Sequence, residues 1–237
     1  MRRAAVDRIV VIVPAHDEEL LVGAAIDALH VAAMRVAPRV ETTVVVVANG
    51  CTDRTAELAA AHGATVVEVT TPNVGAARAA GFAWALDRHE GRLDGLWVAT
   101  TDADSRVPPD WLAVQVDAAT GGADAYLGTV ALEREDRTTF AAWIREYEDS
   151  YETPVRHGHV HGAAMGMWAE TYRRAGGFRP LERSEDVDLV TRLVAGRARI
   201  AWDATCPVTT SSRLVARAPS GVARDLELSL EPYDEAV

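Results

Sequence analysis

The sequence predicts an α/β fold, a mostly parallel sheet flanked by helices with an irregular second half. Three observations predict it. Short β-branched runs at Ile9–Val13, Thr42–Val47 and Ala64–Val69 are continuously apolar, as strands covered on both faces are. Helical patterns separate them, and strand–helix alternation at this spacing builds a parallel sheet with right-handed crossovers. The polar clusters Pro14–Glu19, Asn49–Asp53 and Asp102–Asp104 fall just after strands, where open α/β sheets bind ligands.

Each element has its own signal. Glu18 to about Ala33 places Leu21, Ala25, Leu29 and Ala32 on one helical stripe. Thr52–Ala61 follows Asn49-Gly50, with Thr52 or Asp53 available as N-cap. Asn73 to about His89 spaces Val74, Ala77, Gly81, Trp84 and Ala85 helically, and a fourth strand, Leu96–Thr101, runs into Asp102-Ala103-Asp104. Pro108-Pro109-Asp110 starts a helix to about Thr120, and Ala125–Val130 reads as a strand. Thr138 to about Ser150 reads as a helix, His157–Gly162 as a loop and Ala163–Trp168 as a short strand. Ser184–Val194 is a helix, Ala198–Trp202 and Thr205–Thr210 are two strands, and the acidic tail Asp225–Val237 is expected to fray. No repeat or linker divides the chain. Residues 1–237 read as one domain, with a regular nucleotide-binding half over about 8–104, an irregular half over 105–215 and a tail over 216–237.

Composition narrows the function. With 237 residues, 49% of them apolar, the chain can bury a sizeable core. Its 24 basic residues, all arginine, against 35 acidic ones leave a charge of -11, which argues against a general nucleic-acid binder. An anionic ligand then needs local dipoles, a few arginines or a metal. Cys51 and Cys206 make no disulfide framework, which suits a reducing compartment. Asp7 and Arg8 interrupt the N-terminus before a signal-peptide core forms, and no window approaches the ~20 apolar residues of a membrane helix. A cytoplasmic protein is expected, still able to act on an acceptor held peripherally at a membrane.

Asp102-Ala103-Asp104 is the most informative tripeptide. At the end of an extended strand, residues i and i+2 project to one side, so two carboxylates would crowd the strand's mouth. Mg²⁺ or Mn²⁺ favours such oxygen ligands and completes its shell with phosphate; two solvated loop aspartates are the plain alternative. Asn73-Val74-Gly75-Ala76-Ala77-Arg78 is a loop-to-helix turn that could receive an anion, or Arg78 is a solvated helix arginine. Glu185, Asp186 and Asp188 open a helix, where acids complement the dipole; Asp186 could instead act as a general base. His157, His159 and His161 would share a face if extended, at a spacing that suits zinc, although a loop lining an acceptor site explains them better. GxGxxG, Walker and GxSxG patterns are missing, which weighs against dinucleotide, P-loop and serine-hydrolase chemistry.

With these residues placed, residues 8–210 resemble the family 2 glycosyltransferases of the GT-A fold, a Rossmann-like architecture. Ile12-Val13-Pro14-Ala15-His16-Asp17-Glu18-Glu19 is similar to the family's opening Pro-x-x-Asn-Glu turn, and Asn49-Gly50-Cys51-Thr52-Asp53-Arg54-Thr55 to its Asp-Gly-Ser-x-Asp-x-Thr segment. Asn73-x-Gly75-x-x-Arg78, Asp102-x-Asp104, and Gly176-Gly177-Phe178 with Glu185-Asp186 follow in the family's order. The resemblance implies an enzyme of hexosyltransferase type. It would move a sugar from a nucleoside-diphosphate sugar to an acceptor hydroxyl with inversion. It places Pro14, Ala15, Glu18, Asn49 and Arg78 around the nucleotide, Asp102 on the ribose and with Asp104 on a metal-bound diphosphate, and Asp186 as general base. Three departures stand out. Ala48-Asn49 replaces the family's usual aspartate pair, and no histidine follows His161 to serve as a late metal ligand, a place Arg213 could fill as a phosphate contact. No membrane helices follow, unlike the processive synthases. A catalytically silent nucleotide-sugar-binding protein is the main alternative; a nucleotidyltransferase lacks its Gly-rich basic signature after the first strand.

Overall fold

The computed structural model describes residues 5–70, 72–89, 93–133 and 159–211. The expected helix Thr138–Ser150, His157, Arg213 and the tail Asp225–Val237 lie outside them. In chain order the elements are β1 (Arg8–Ala15), α1 (Val22–Val36), β2 (Glu41–Asn49), α2 (Thr55–Ala61), β3 (Thr65–Val69) and α3 (Val74–Arg88). Next come β4 (Leu96–Thr100), β5 (Ser105–Arg106), α4 (Trp111–Thr120), β6 (Ala125–Leu127) and β7 (Val130–Leu132). A 3-10 turn (Gly162–Ala164) then leads to β8 (Met165–Trp168), α5 (Ala169–Arg174), α6 (Glu185–Ala195), β9 (Ile200–Trp202) and β10 (Val208–Thr210).

A seven-stranded sheet runs β3-β2-β1-β4-β8-β6-β9, and β5-β10-β7 form a small second sheet. β1 to β4 are mutually parallel, while β8 is antiparallel to both β4 and β6. The continuous apolar runs have the reason the sequence suggested. Ile9, Val11 and Val13 enter one core with Ile26, Leu29 and Trp111, whereas Val10 and Ile12 enter another with Ala77, Phe82 and Leu189. Alternate side chains thus fill both faces. Gly81 sets the approach of α3, because a Cβ there would run into Ile12 and Val47 of the strands beneath.

The second half departs from expectation in several places. Ala125–Val130 is not one strand: β6 ends at Leu127, and the chain crosses to the second sheet at Gly128, whose N–H donates to Ala164 O at 2.7 Å. A side chain at Gly128 would crowd Tyr126 and Ala164, so the crossing is sterically specified. α5 had no periodic signal, being six residues long. α1 starts at Val22 rather than Glu18: Glu18 O accepts the Leu21 and Val22 N–H groups at 3.0 and 2.9 Å in a turn ahead of the helix, and the Glu18 N–H donates to Thr55 Oγ1 at 2.7 Å. α2 starts at Thr55 rather than Thr52, because Asp53 Oδ1 accepts the Thr55 N–H at 2.9 Å and Thr52 donates to Asp17.

Candidate active site

The carboxyl ends of β1, β2 and β4 are side by side in one parallel register, and the loops leaving them build a continuous rim. The β1 loop turns sharply at Asp17, whose φ of 53° lies in the left-handed region. Its Oδ1 accepts the backbone N–H of Thr52 at 2.7 Å and of Asp53 at 3.3 Å. The Thr52 bond holds the half-buried Asp17 carboxyl below its ordinary range. Cys51 Sγ donates to Ala15 O, and the His16 ring bonds Asn49 O at 2.7 Å through Nδ1. The loops after β1 and β2 are therefore stitched together, with Pro14, Ala15, Glu18 and Asn49 buried along the seam. Asp17, Cys51 and Asp53 bring potential ligand atoms within 4.8 Å of one another, but the bonds just described already occupy them as a turn lock.

Asn73 extends the rim. Its N–H donates to Asn49 Oδ1 at 3.3 Å, its Oδ1 caps α3 by accepting the Ala76 N–H at 2.7 Å, and its Nδ2 donates to Leu181 O at 2.9 Å. Three segments far apart in sequence meet on one residue. Gly75 is needed beside it, since a Cβ would strike Arg179 O.

One turn into α3, Arg78 is not a solvated helix arginine: it is 3% exposed. Its Nη2 donates to Asp102 Oδ1 at 2.6 Å, its Nη1 pairs with Glu185 Oε1, and its guanidinium carbon lies 5.9 Å from the Phe178 ring centre. Burial draws its pKa down, but Asp102, Glu185 and Asp186 outweigh that and hold it above the ordinary value, so it stays cationic. Glu185, 5% exposed, is pushed up by burial against the pull of Arg78, with Asp186 and Asp102 adding to the rise.

β4 ends at Thr100, and Asp102 to Ser105 form a turn closed by Ser105 N–H donating to Asp102 O at 3.1 Å. The carboxylates thus leave a turn, not the extended strand end expected. Asp102 is 36% exposed along its side chain. Asp104 Oδ1 accepts from Ser105 Oγ at 3.3 Å and Thr210 Oγ1 at 3.5 Å, and its carbonyl accepts the Ser211 N–H. Among the described residues no third His, Cys, Asp or Glu ligand converges on this pair.

On the opposite side, Ser184, with φ 57°, starts α6. Asp186 is half-buried; its Oδ2 accepts the Gly162 N–H at 2.9 Å and its Oδ1 the Val187 N–H. Asp188 points elsewhere, since it pairs with Arg192 and Arg179, and the Arg192 hydrogen bond first of all lowers its pKa. Arg192 also donates to Ala175 O and Gly177 O, and Phe178 N–H donates to Tyr172 Oη at 2.9 Å. The Gly176-Gly177-Phe178 turn is fixed this way, with both glycines at positive φ. His159 and His161 stack with ring centres 6.0 Å apart, on one face as their spacing predicts. A shallow groove lined by Ala79, Leu86, Tyr172, Arg173 and Phe178 contains none of the carboxylates.

The structure therefore links Ala15, Glu18, Asn49, Arg78 and Asp102 along one rim and joins that rim to Asp186 through Arg78 and Glu185. Sequence reasoning missed Glu185 as the partner of Arg78, and it missed Gly162; only the adjacency of Glu185 to Asp186 hinted at the first.

Known structures share this architecture. TarS of S. aureus superposes with a TM-score of 0.65 at 15% identity, over 86% of this chain and 36% of that one. A mannosyltransferase from Pyrobaculum calidifontis, solved with GDP-Man and Mn2+, gives 0.60 at 23% identity over 90% and 60%. Glucosyl-3-phosphoglycerate synthase from Mycobacterium tuberculosis, solved with Mn2+, UDP and glucosyl-3-phosphoglycerate, gives 0.54 at 18% over 86% and 70%. The chain thus spans less than two thirds of the length of the first two of these proteins. These likenesses show the GT-A fold. No curated protein sequence matches the chain. The model of glycosyl transferase family 2 matches residues 10–173, well over half of the chain, and the chain belongs to that family.

Proposed function

We propose that the protein is an inverting, metal-assisted glycosyltransferase of hexosyltransferase type, moving a sugar from a nucleoside-diphosphate sugar to an acceptor hydroxyl. Residues of about 8–104 would form the donor half of one domain and about 105–215 the acceptor half. The observation that carries the reading is the single rim on which Asp102, Arg78, Glu185 and Asp186 are connected at the carboxyl ends of parallel strands. Neighbouring structures carry Mn2+ or Mg2+ with UDP or a nucleotide sugar, which supports the donor class.

The residues fit a hard divalent cation. Asp102 and Asp104 offer carboxylate oxygens on one tight turn, partly open to solvent, the donor chemistry that Mg²⁺ or Mn²⁺ accepts alongside phosphate oxygens. When bound, the metal would neutralise the departing diphosphate as a Lewis acid. The chain's own groups do the rest. Pro14, Ala15, Glu18 and Asn49 line the seam that would hold the nucleotide, and Asp102 would also orient the ribose. Arg213 stays a proposed phosphate contact. Asp186 Oδ would take the acceptor's proton as its oxygen bonds to the anomeric carbon and the bond to the diphosphate breaks, a single displacement with inversion. An acceptor at a membrane surface is compatible with this, and no helix among the described residues is long and apolar enough to cross one.

Calorimetric titration of UDP and GDP with Mn²⁺, and again with EDTA, tests the donor site. Binding that needs Mn²⁺, and weakens more in Asp104→Ala than in Asp102→Ala, is expected. Equal affinity with and without metal would overturn the metal-assisted reading.

A further inference from the structure

We propose that Arg78 is a positioning residue that fixes the carboxylate of Asp186 relative to Asp102, joining the two halves of the site through one buried guanidinium. The inference rests on the glycosyl-transfer reading for its consequence, though its geometry stands separately. Arg78 sits on α3 in the first half, whereas Glu185 and Asp186 open α6, 107 residues away for Glu185. One arm of the fork holds Asp102 and the other Glu185, with Phe178 beside the plane. Gly162 completes the arrangement: a Cβ there would occupy the place of the guanidinium, and its N–H is the donor that holds Asp186 Oδ2 at 2.9 Å. Gly162 can therefore approach only while it lacks a side chain, and Arg78 supplies the wall it rests on. Displacing Arg78 should move Glu185 at the start of α6 and Gly162 in the facing turn together, and these are the supports of the Asp186 carboxylate. The planar fork matters as well as the charge, because an ammonium cannot reach two carboxylates with the same fixed spread.

Two readouts test this. The first is amide hydrogen exchange at Gly162 in the ligand-free protein, compared with the Val11 and Val46 amides in the central strands. Arg78→Lys and Glu185→Gln should each speed exchange at Gly162 at least tenfold while leaving Val11 and Val46 within twofold. Gly162 exchange within twofold of wild type in both variants overturns the proposal, as does an equal acceleration at all three amides, which would mark a general loss of stability. The second is turnover of UDP-glucose and GDP-mannose with Mn²⁺. Glu185→Gln should lower kcat at least tenfold with the Kd of UDP or GDP in Mn²⁺ within threefold. An unchanged kcat refutes the positioning role. If none of UDP, GDP and dTDP binds the wild type with Mn²⁺, the donor reading fails, and the exchange experiment still decides the role of Arg78.

Discussion

Replacing Arg78 by methionine removes the charge while filling much of the volume, and its cost follows from who is left behind. Asp102, 36% exposed, can turn to water; Glu185, 5% exposed, cannot. Breaking a buried ion pair by removing one partner typically costs about 3–5 kcal/mol, because the remaining charge is stranded. In a chain of this size each kcal/mol lowers Tm by roughly 2–4 °C, so a fall of roughly 6–20 °C is expected at neutral pH. The loss should depend on pH with a definite sign. Glu185 already sits above its ordinary pKa through burial, and without Arg78 it rises further. Below the unfolded-state pKa both states hold the proton and the penalty vanishes. As pH rises, the unfolded chain releases its proton first, so stability falls until the folded-state pKa is passed. Urea denaturation at pH 5 and pH 8 measures this, and the gap between wild type and Arg78→Met should be wider at pH 8. A destabilisation below about 1 kcal/mol, or one equal at both pH values, would refute the stranded-charge reasoning.

Other expectations concern the supports of the site. Tyr172→Phe leaves the buried Phe178 N–H without its acceptor and should cost about 1–3 kcal/mol in denaturant titrations. Asn73→Ala removes the α3 cap, worth about 0.5–2 kcal/mol, and also the bond to Leu181 O, so donor affinity measured by calorimetry should fall together with stability. Gly81→Val drives side-chain atoms into Ile12 and Val47 and should destabilise by about 1–3 kcal/mol, read from the urea midpoint.

Much of the first half was legible because its signals are local. Unbroken β-branched runs announce strands covered on both faces, and Asn73 sits where an N-cap must, ahead of a helical stripe. The second half is built from long-range pairings that no local pattern encodes. β8 inserts between β4 and β6 in the opposite direction, and the apolar run 125–130 splits between two sheets because Gly128 must cross beside Ala164. Arg78 shows the same limit at the site. Its helical position alone reads as a solvated arginine, and its burial depends on carboxylates 24 and 107 residues away. The Asp102–Asp104 pair stands out in the sequence, but its geometry does not, since the carboxylates leave a turn beyond the end of β4.

Central to the proposed mechanism is that Asp186 deprotonates an acceptor hydroxyl beside a metal-bound nucleotide sugar. The most direct measurement compares wild type and Asp186→Asn for transfer from a panel of UDP-, GDP- and dTDP-sugars with Mn²⁺, alongside the Kd of the corresponding nucleoside diphosphate. A turnover lower by roughly 10²–10⁴-fold with donor affinity nearly unchanged is predicted, the pattern of an interaction made mainly in the transition state. A folded Asp186→Asn protein that binds donor and transfers at close to the wild-type rate would contradict it.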